Sequence, residues 1–327
     1  MPRSRVNGVS LYYELEGRGE PVALLNGVLM TTASWTPMRQ QLVPHLRCLL
    51  HDLRGQMLSP VDVEPSPRGV PAGQASGGSW SMQQHADDLV ALLDELGIAS
   101  CHLIGTSYGG EVGLLLAAAY PERTRSLSLI ASVADVGPDL AHGVDSWVAA
   151  SLRGPEALMQ AVAADSYSQA FLDANPELIE QGARRIAAQP ETFLAGFRCL
   201  VEAFKRLDAR PVLGSITAPC LVVAAERDAI KPPEACLRAA RAIPHCEAVV
   251  IPDAGHAVVI EQPGTVASVV LGFVLKHSQQ HRHHDQTTAA ASDASRTGSG
   301  NGMPGQSVAR RDHGSPDLVA EQGELRR

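Results

Sequence analysis

The chain has 327 residues, 45% hydrophobic but only 4% aromatic, with 27 basic and 35 acidic side chains for a net charge of −8. That length makes one large domain or two ordinary ones, and the apolar content is enough for a full core. An acidic balance without a basic stripe argues against a nucleic-acid partner. No segment approaches the ~20 apolar residues of a membrane span, and the start, Met1-Pro2-Arg3-Ser4-Arg5, lacks the apolar run of a signal peptide. The six cysteines are scattered without a C-x-x-C pair, several of them inside apolar runs, as in a reduced, cytoplasmic protein.

In chain order, strands are expected at Arg3–Val6 and Val9–Leu15, with Asn7-Gly8 as the hairpin signal between them. Pro21–Leu25 is a continuous apolar run of the kind buried on both faces of a parallel sheet. The loop Asn26-Gly27-Val28 follows, then a helix through Met38–Leu42, a strand at Leu46–His51 and the loop Asp52-Leu53-Arg54-Gly55-Gln56. Ser59 to Ser79 is rich in Pro, Gly and Ser without periodicity, which reads as an exposed loop. Ser81 caps a helix with Leu89, Leu92, Leu93 and Leu96 at helical spacing, ended by Gly97. A strand at Ala99–Ile104 and a helix from Glu111 to Ala119 bracket Gly105-Thr106-Ser107-Tyr108-Gly109-Gly110, and Ser126–Ala131 is a further strand. Strands alternating with helices imply a mostly parallel α/β sheet covered by helices.

The strand rhythm stops after Asp135. Between residues 137 and 213 only helical patterns occur, at Ser146–Leu152, Glu156–Ala164, Glu177–Ala188 and Thr192–Leu207, which reads as an inserted helical cap over the core formed by 1–136 and 214–277. The core resumes with a strand at Cys220–Ala225, a helix at Pro233–Ala242, a strand at Ala248–Ile251 and a closing helix at Thr265–His277. Residues 278–327 contain no Phe, Tyr or Trp and read as a disordered tail. Its histidines, with His277, lack the cysteines or clustered carboxylates of a dedicated metal site, so no metal or cofactor is expected.

Gly-x-Ser-x-Gly between a strand and a helix is a nucleophile elbow, with Gly105 and Gly109 small because the turn is tight. A serine hydroxyl is a poor nucleophile at neutral pH and needs a base, which in turn needs an orienting acid. Asp253-Ala254-Gly255-His256, directly after the last strand, offers His256 as the base. His102 reads as a sheet residue, and His45, His51, His85 and His142 as surface or satisfied polar residues. Asp228, after the strand Cys220–Ala225, is the leading acid, with Asp135 and Asp253 as rivals. Two donors for an oxyanion are expected from the N–H groups of Tyr108 and Val28. Trp147, Phe171, Phe193 and Phe197 are available to shape an apolar acyl pocket in the cap.

These pieces, with Tyr120-Pro121-Glu122-Arg123 and Glu261-Gln262-Pro263, resemble in order and spacing a serine α/β-hydrolase of the group that includes esterases and 3-oxoadipate enol-lactonases. The resemblance covers about residues 3–277 and implies the α/β-hydrolase fold. It also implies cleavage of a small carboxylic ester or lactone through a Ser107 acyl-enzyme. Most relatives carry His-Gly where this chain has Asn26-Gly27, so the hydrogen bonding of that loop is an open question. The run Asn26–Trp35 is similar to the same loop in the 3-hydroxyacyl acyltransferase of rhamnolipid synthesis, which keeps acyl transfer as an alternative. A catalytically dead binding fold is a third reading.

Overall fold

Successive side chains of a strand leave a sheet on opposite faces, and in β3 (Glu20–Leu25) both sets are apolar and buried. Val22 and Leu24 pack on one face; Ala23 and Leu25 pack on the other. β4 (Leu46–His51), β5 (Cys101–Thr106) and β7 (Cys220–Ala225) are buried in the same two-sided way, so the sheet needs a helical layer on each face. The computed structural model describes residues 2–61, 80–190 and 192–278, and supplies those layers. The expectations for residues 62–79 and 279–327 lie outside the described residues.

Eight strands run in the order β1-β2-β4-β3-β5-β6-β7-β8, where β1 is Arg3–Val6, β2 Val9–Glu16, β6 Thr124–Ile130 and β8 Cys246–Ile251. β1, β2 and β4 pair antiparallel; every pairing from β4 through β3 to β8 is parallel. Asn7 (φ 46°) and Gly8 (φ 80°) make the β1–β2 turn in the left-handed region that a two-residue hairpin requires. One face carries α2 (Met82–Glu95), α3 (Tyr108–Ala119) and α9 (Pro233–Ala242); the other carries α1 (Thr36–Leu42) and α10 (residues 263–278). The Ser81 hydroxyl accepts from the Gln84 N–H to start α2, and Gly97 (φ 64°) ends it.

Between β6 and β7 lie α4 (Pro138–Ser151), α5 (Pro155–Ser166), α6 (Gln169–Ala174), α7 (Leu178–Ala187) and α8 (Thr192–Phe204). α4 starts eight residues earlier than its apolar pattern predicts, because Pro138 at N1 suits a helix start, and the extra α6 is capped by Ser168. β5 runs on to Thr106, where Gly105 and Thr106 pair with Leu129 and Ile130 of β6 despite the weak strand propensity of the glycine. α3 begins at Tyr108, so Gly109 and Gly110 are helical and not part of a loop.

The loop after β4 is fastened from beneath. Arg54 donates twice to Asp88 of α2, at 2.9 and 2.8 Å, and once to the Asn7 carbonyl at 3.2 Å. Both charged partners are buried, so each offsets the desolvation of the other. All six cysteines are free. Among the described residues no helix is long and apolar enough to cross a membrane.

Candidate active site

The strand-to-helix turn puts Ser107 at φ 51°, ψ −124°, a conformation that L-residues rarely adopt and that costs about 1–3 kcal/mol. Its N–H is tied to Ile130 O (2.8 Å), and its carbonyl accepts from the Ser132 hydroxyl (3.1 Å). The glycines around it are sterically enforced. A Cβ on Gly109 would lie 2.2 Å from Leu25 O, and one on Gly105 2.5 Å from Gly109 O, both backbone atoms. The helix therefore sits hard against the end of β3, beside the Asn26-Gly27-Val28 loop.

That loop is held from below by its own side chain. Asn26 is fully buried; its Oδ1 accepts from the Trp35 indole (2.7 Å) and its Nδ2 donates to Asp52 Oδ1 (3.2 Å). Asp52 also accepts from the N–H groups of Thr32 (3.2 Å) and Leu58 (3.0 Å), and burial still pushes its carboxyl up to about 6. The open question about Asn26 thus has a structural answer: the amide uses both ends where an imidazole has two nitrogens. Val28 lines the cavity next to Ser107. Tyr108, as the first residue of α3, has an N–H with no preceding turn to bond to.

His256 follows β8 in a loop pinned by Glu261. Glu261 accepts from the N–H groups of Gly255 (3.2 Å) and Ser168 (2.9 Å) and from the Ser168 hydroxyl (2.6 Å), tying the loop to the α5–α6 junction. The ring lies between two partners: Nε2 is 2.9 Å from Ser107 Oγ, and Nδ1 is 2.8 Å from Asp228 Oδ2. The other oxygen of Asp228 accepts from the N–H groups of Ile230 (2.9 Å) and Lys231 (2.7 Å). With Nδ1–H given to the carboxylate, Nε2 is left as the acceptor for the serine proton.

The rival acids are elsewhere. Asp135 faces Arg210 at 3.8 Å, and Asp253 is exposed against Arg227. His102 lies in the sheet as expected, bonded to Ser126 (2.8 Å). His51 and His85 are buried, not superficial, and burial lowers them to about 4 and about 3, which keeps both neutral at pH 7. Of the four cap aromatics, Trp147 borders the space beside Ser107, with its indole donating to Asp165 (2.7 Å). Phe193 and Phe197 are core, and Phe171 stacks on Tyr167.

The space reaching both Ser107 and His256 is a cleft of ≈ 100 Å³, walled by Met30, Trp147, Met159, Val162, Tyr167 and Ile260 among others. A larger cavity of ≈ 420 Å³ lies between α4 and the start of α9, but neither Ser107 nor His256 lines it. The smaller cleft is the one that Ser107 and His256 line together.

One group in the site is absent from the sequence-based list. Lys231 Nζ is 3.2 Å from Ser107 Oγ and 2.6 Å from Glu111 Oε1, and it lies 4.6 Å from the Phe204 ring centre. A glutamate at the head of the apolar run Val112–Ala119 of α3 was the available signal: a carboxylate on a buried helix must have a cation.

The profile of the α/β-hydrolase fold family matches residues 20–263. The chain belongs to that family. It is 28% identical over 84% of its length to RutD of Azorhizobium caulinodans, named for carbamate hydrolysis, of which it covers 98%. The RutD of Stutzerimonas stutzeri is 32% identical over 76% of this chain and 90% of its own. Among solved structures, the enol-lactonase of Burkholderia xenovorans superposes with a TM-score of 0.73 at 26% identity, covering 84% of this chain and 100% of its own. A thermophilic esterase of Thermogutta terrifontis gives 0.72 at 27%, covering 85% and 99%. This α/β hydrolase has the mostly parallel eight-stranded sheet expected from its sequence.

Proposed function

We propose that the chain is a serine hydrolase cleaving a small carboxylic ester or lactone through an acyl-enzyme on Ser107. The observation that carries this reading is the hydrogen-bonded line Ser107–His256–Asp228, at 2.9 and 2.8 Å. Ser107 Oγ attacks the carbonyl carbon as its proton passes to His256 Nε2; His256 then protonates the leaving oxygen. Water, deprotonated by the same nitrogen, attacks the acyl-enzyme and returns Ser107 to its hydroxyl. Asp228 holds the ring with Nδ1 protonated and balances the imidazolium. The N–H groups of Val28 and Tyr108 receive the oxyanion. Helices α4–α8 act as a cap that supplies the apolar wall of the acyl pocket.

The names of the curated relatives favour a second substrate class, since a carbamate offers the same electrophilic carbonyl. Acyl transfer shares every step up to the acyl-enzyme and differs in the acceptor. A fluorophosphonate probe is expected to label the wild type and to leave Ser107→Ala unlabelled. His256→Ala is expected to slow turnover at least about a thousandfold. Equal labelling of Ser107→Ala would refute the reading. p-Nitrophenyl esters, lactones and aryl carbamates compared by kcat/KM rank the substrate classes, and added methanol diverts product only if the acyl-enzyme admits an acceptor other than water.

A further inference from the structure

Lys231 is, after His256, the second side chain in contact with the serine oxygen, and the Ser–His–Asp scheme gives it no work. It reaches Ser107 from the loop after β7, and its own N–H is one of the two, with that of Ile230, that bind Asp228. The placement is therefore coupled: the backbone that fixes the acid also fixes the lysine. Its ammonium is 2% exposed and the facing Glu111 carboxylate 0%, so neither charge is relieved by solvent. Glu111 stands one helical turn beyond Ser107, and its Oε1 also accepts from Val133 N–H at 2.9 Å. The three ammonium protons have three destinations: Glu111, the face of Phe204, and Ser107 Oγ.

A buried ion pair kept only for stability is a poor bargain, because desolvation cancels most of its attraction. Nor would such a pair need its cation directed at a reactive oxygen. The ammonium cannot serve as a second base, since protonated it has no lone pair. What it can do is donate.

We propose that Lys231 is a further catalytic residue of this site, an electrophilic partner of Ser107 Oγ that Glu111 holds in place. The inference rests on Ser107 being the nucleophile. As the Oγ–H bond breaks and the proton goes to His256 Nε2, the electron pair left on Oγ forms the bond to the carbonyl carbon. The carbonyl π pair moves to its oxygen. Lys231 keeps all its protons and stabilises the charge on Oγ between the two bonds. In deacylation the C–Oγ bond breaks, and the same ammonium steadies Oγ until His256 returns a proton. Burial pushes the Glu111 carboxyl upward, and the ammonium of Lys231 pulls it back down.

The test uses the full chain and the fluorophosphonate probe, with saturation kinetics of labelling. Lys231→Met alone leaves Glu111 buried without its cation and can fail to fold, so the deciding arm is the double variant E111Q/K231M, which removes both charges. It is expected to melt within a few degrees of the wild type and to lose at least about tenfold in maximal labelling rate, in line with loss of a donor to a developing oxyanion. The half-saturating probe concentration should stay within about twofold. A maximal rate equal to the wild type, or a loss confined to half-saturation, would overturn the role of Lys231. Labelling of Ser107→Ala would instead overturn the serine reading beneath it.

Discussion

Replacing Asn26 by leucine removes the amide that fixes the loop proposed to receive the oxyanion, while keeping a side chain of similar size. Two bonds go. The Trp35 indole N–H, fully buried, loses an acceptor at 2.7 Å, which costs about 1–3 kcal/mol for an unsatisfied donor. Asp52 loses one of its three donors but keeps those from Thr32 and Leu58, about 1 kcal/mol more. The total is about 3 kcal/mol, or roughly 6–12 °C in melting temperature for a domain of this size. The larger effect is expected on rate. Val28 stands two residues beyond Asn26, and displacing one oxyanion donor lowers kcat by about 10²–10³ with a smaller change in KM. Calorimetry and p-nitrophenyl ester kinetics on the same preparation check both. A variant that melts lower yet turns over at the wild-type rate would refute the link between Asn26 and the Val28 N–H.

Asp52 makes stability depend on pH in an unusual direction. Its folded-state value of about 6 lies above the unfolded value near 4, so the folded chain binds the proton more tightly and its stability contribution falls as pH rises from 4 to 6. From pH 4.5 to 7 that amounts to about 2 kcal/mol, and the stability gap between wild type and Asp52→Asn in urea melts should change by this much; a pH-independent gap refutes it. Gly109→Ala drives a methyl into Leu25 O and should cost about 3 kcal/mol and abolish fluorophosphonate labelling; soluble, labelled protein counts against the close approach. Arg54→Met strands Asp88 inside the fold at about 3–5 kcal/mol, and R54M/D88L should regain most of it by denaturant titration. No recovery in the double variant would mean that the pair is not the cause.

The strands and the Ser107, Asp228 and His256 positions were legible because each obeys a local rule. β7 is an unbroken apolar run and β3 and β4 contain the apolar stretches Val22–Leu25 and Cys48–Leu50, and each of the three residues follows a strand end in a small-residue or turn context. β8 was read two residues short because Cys246 and Glu247 carry no strand signal and are set by pairing with Cys220 and Leu221. Choosing among Asp228, Asp135 and Asp253 was a matter of side-chain direction, which depends on Arg210 and Arg227 drawing off the rivals. Lys231 was illegible for a different reason. A lysine in a loop reads as a solvated charge, and only the fold brings it to Glu111, 120 residues away in sequence.

The helices between β6 and β7 occupy 89 residues, from the end at Ile130 to the start at Cys220, yet β6 and β7 pair as sheet neighbours. Loop closure grows only with the logarithm of length, so this excursion costs about 2 kcal/mol more than a twelve-residue crossover. Lengthening, shortening or exchanging that segment is thermodynamically cheap. Evolution, or an engineer, can rewrite the wall proposed to meet the substrate while Ser107, Asp228 and His256 stay moored to strands that never notice.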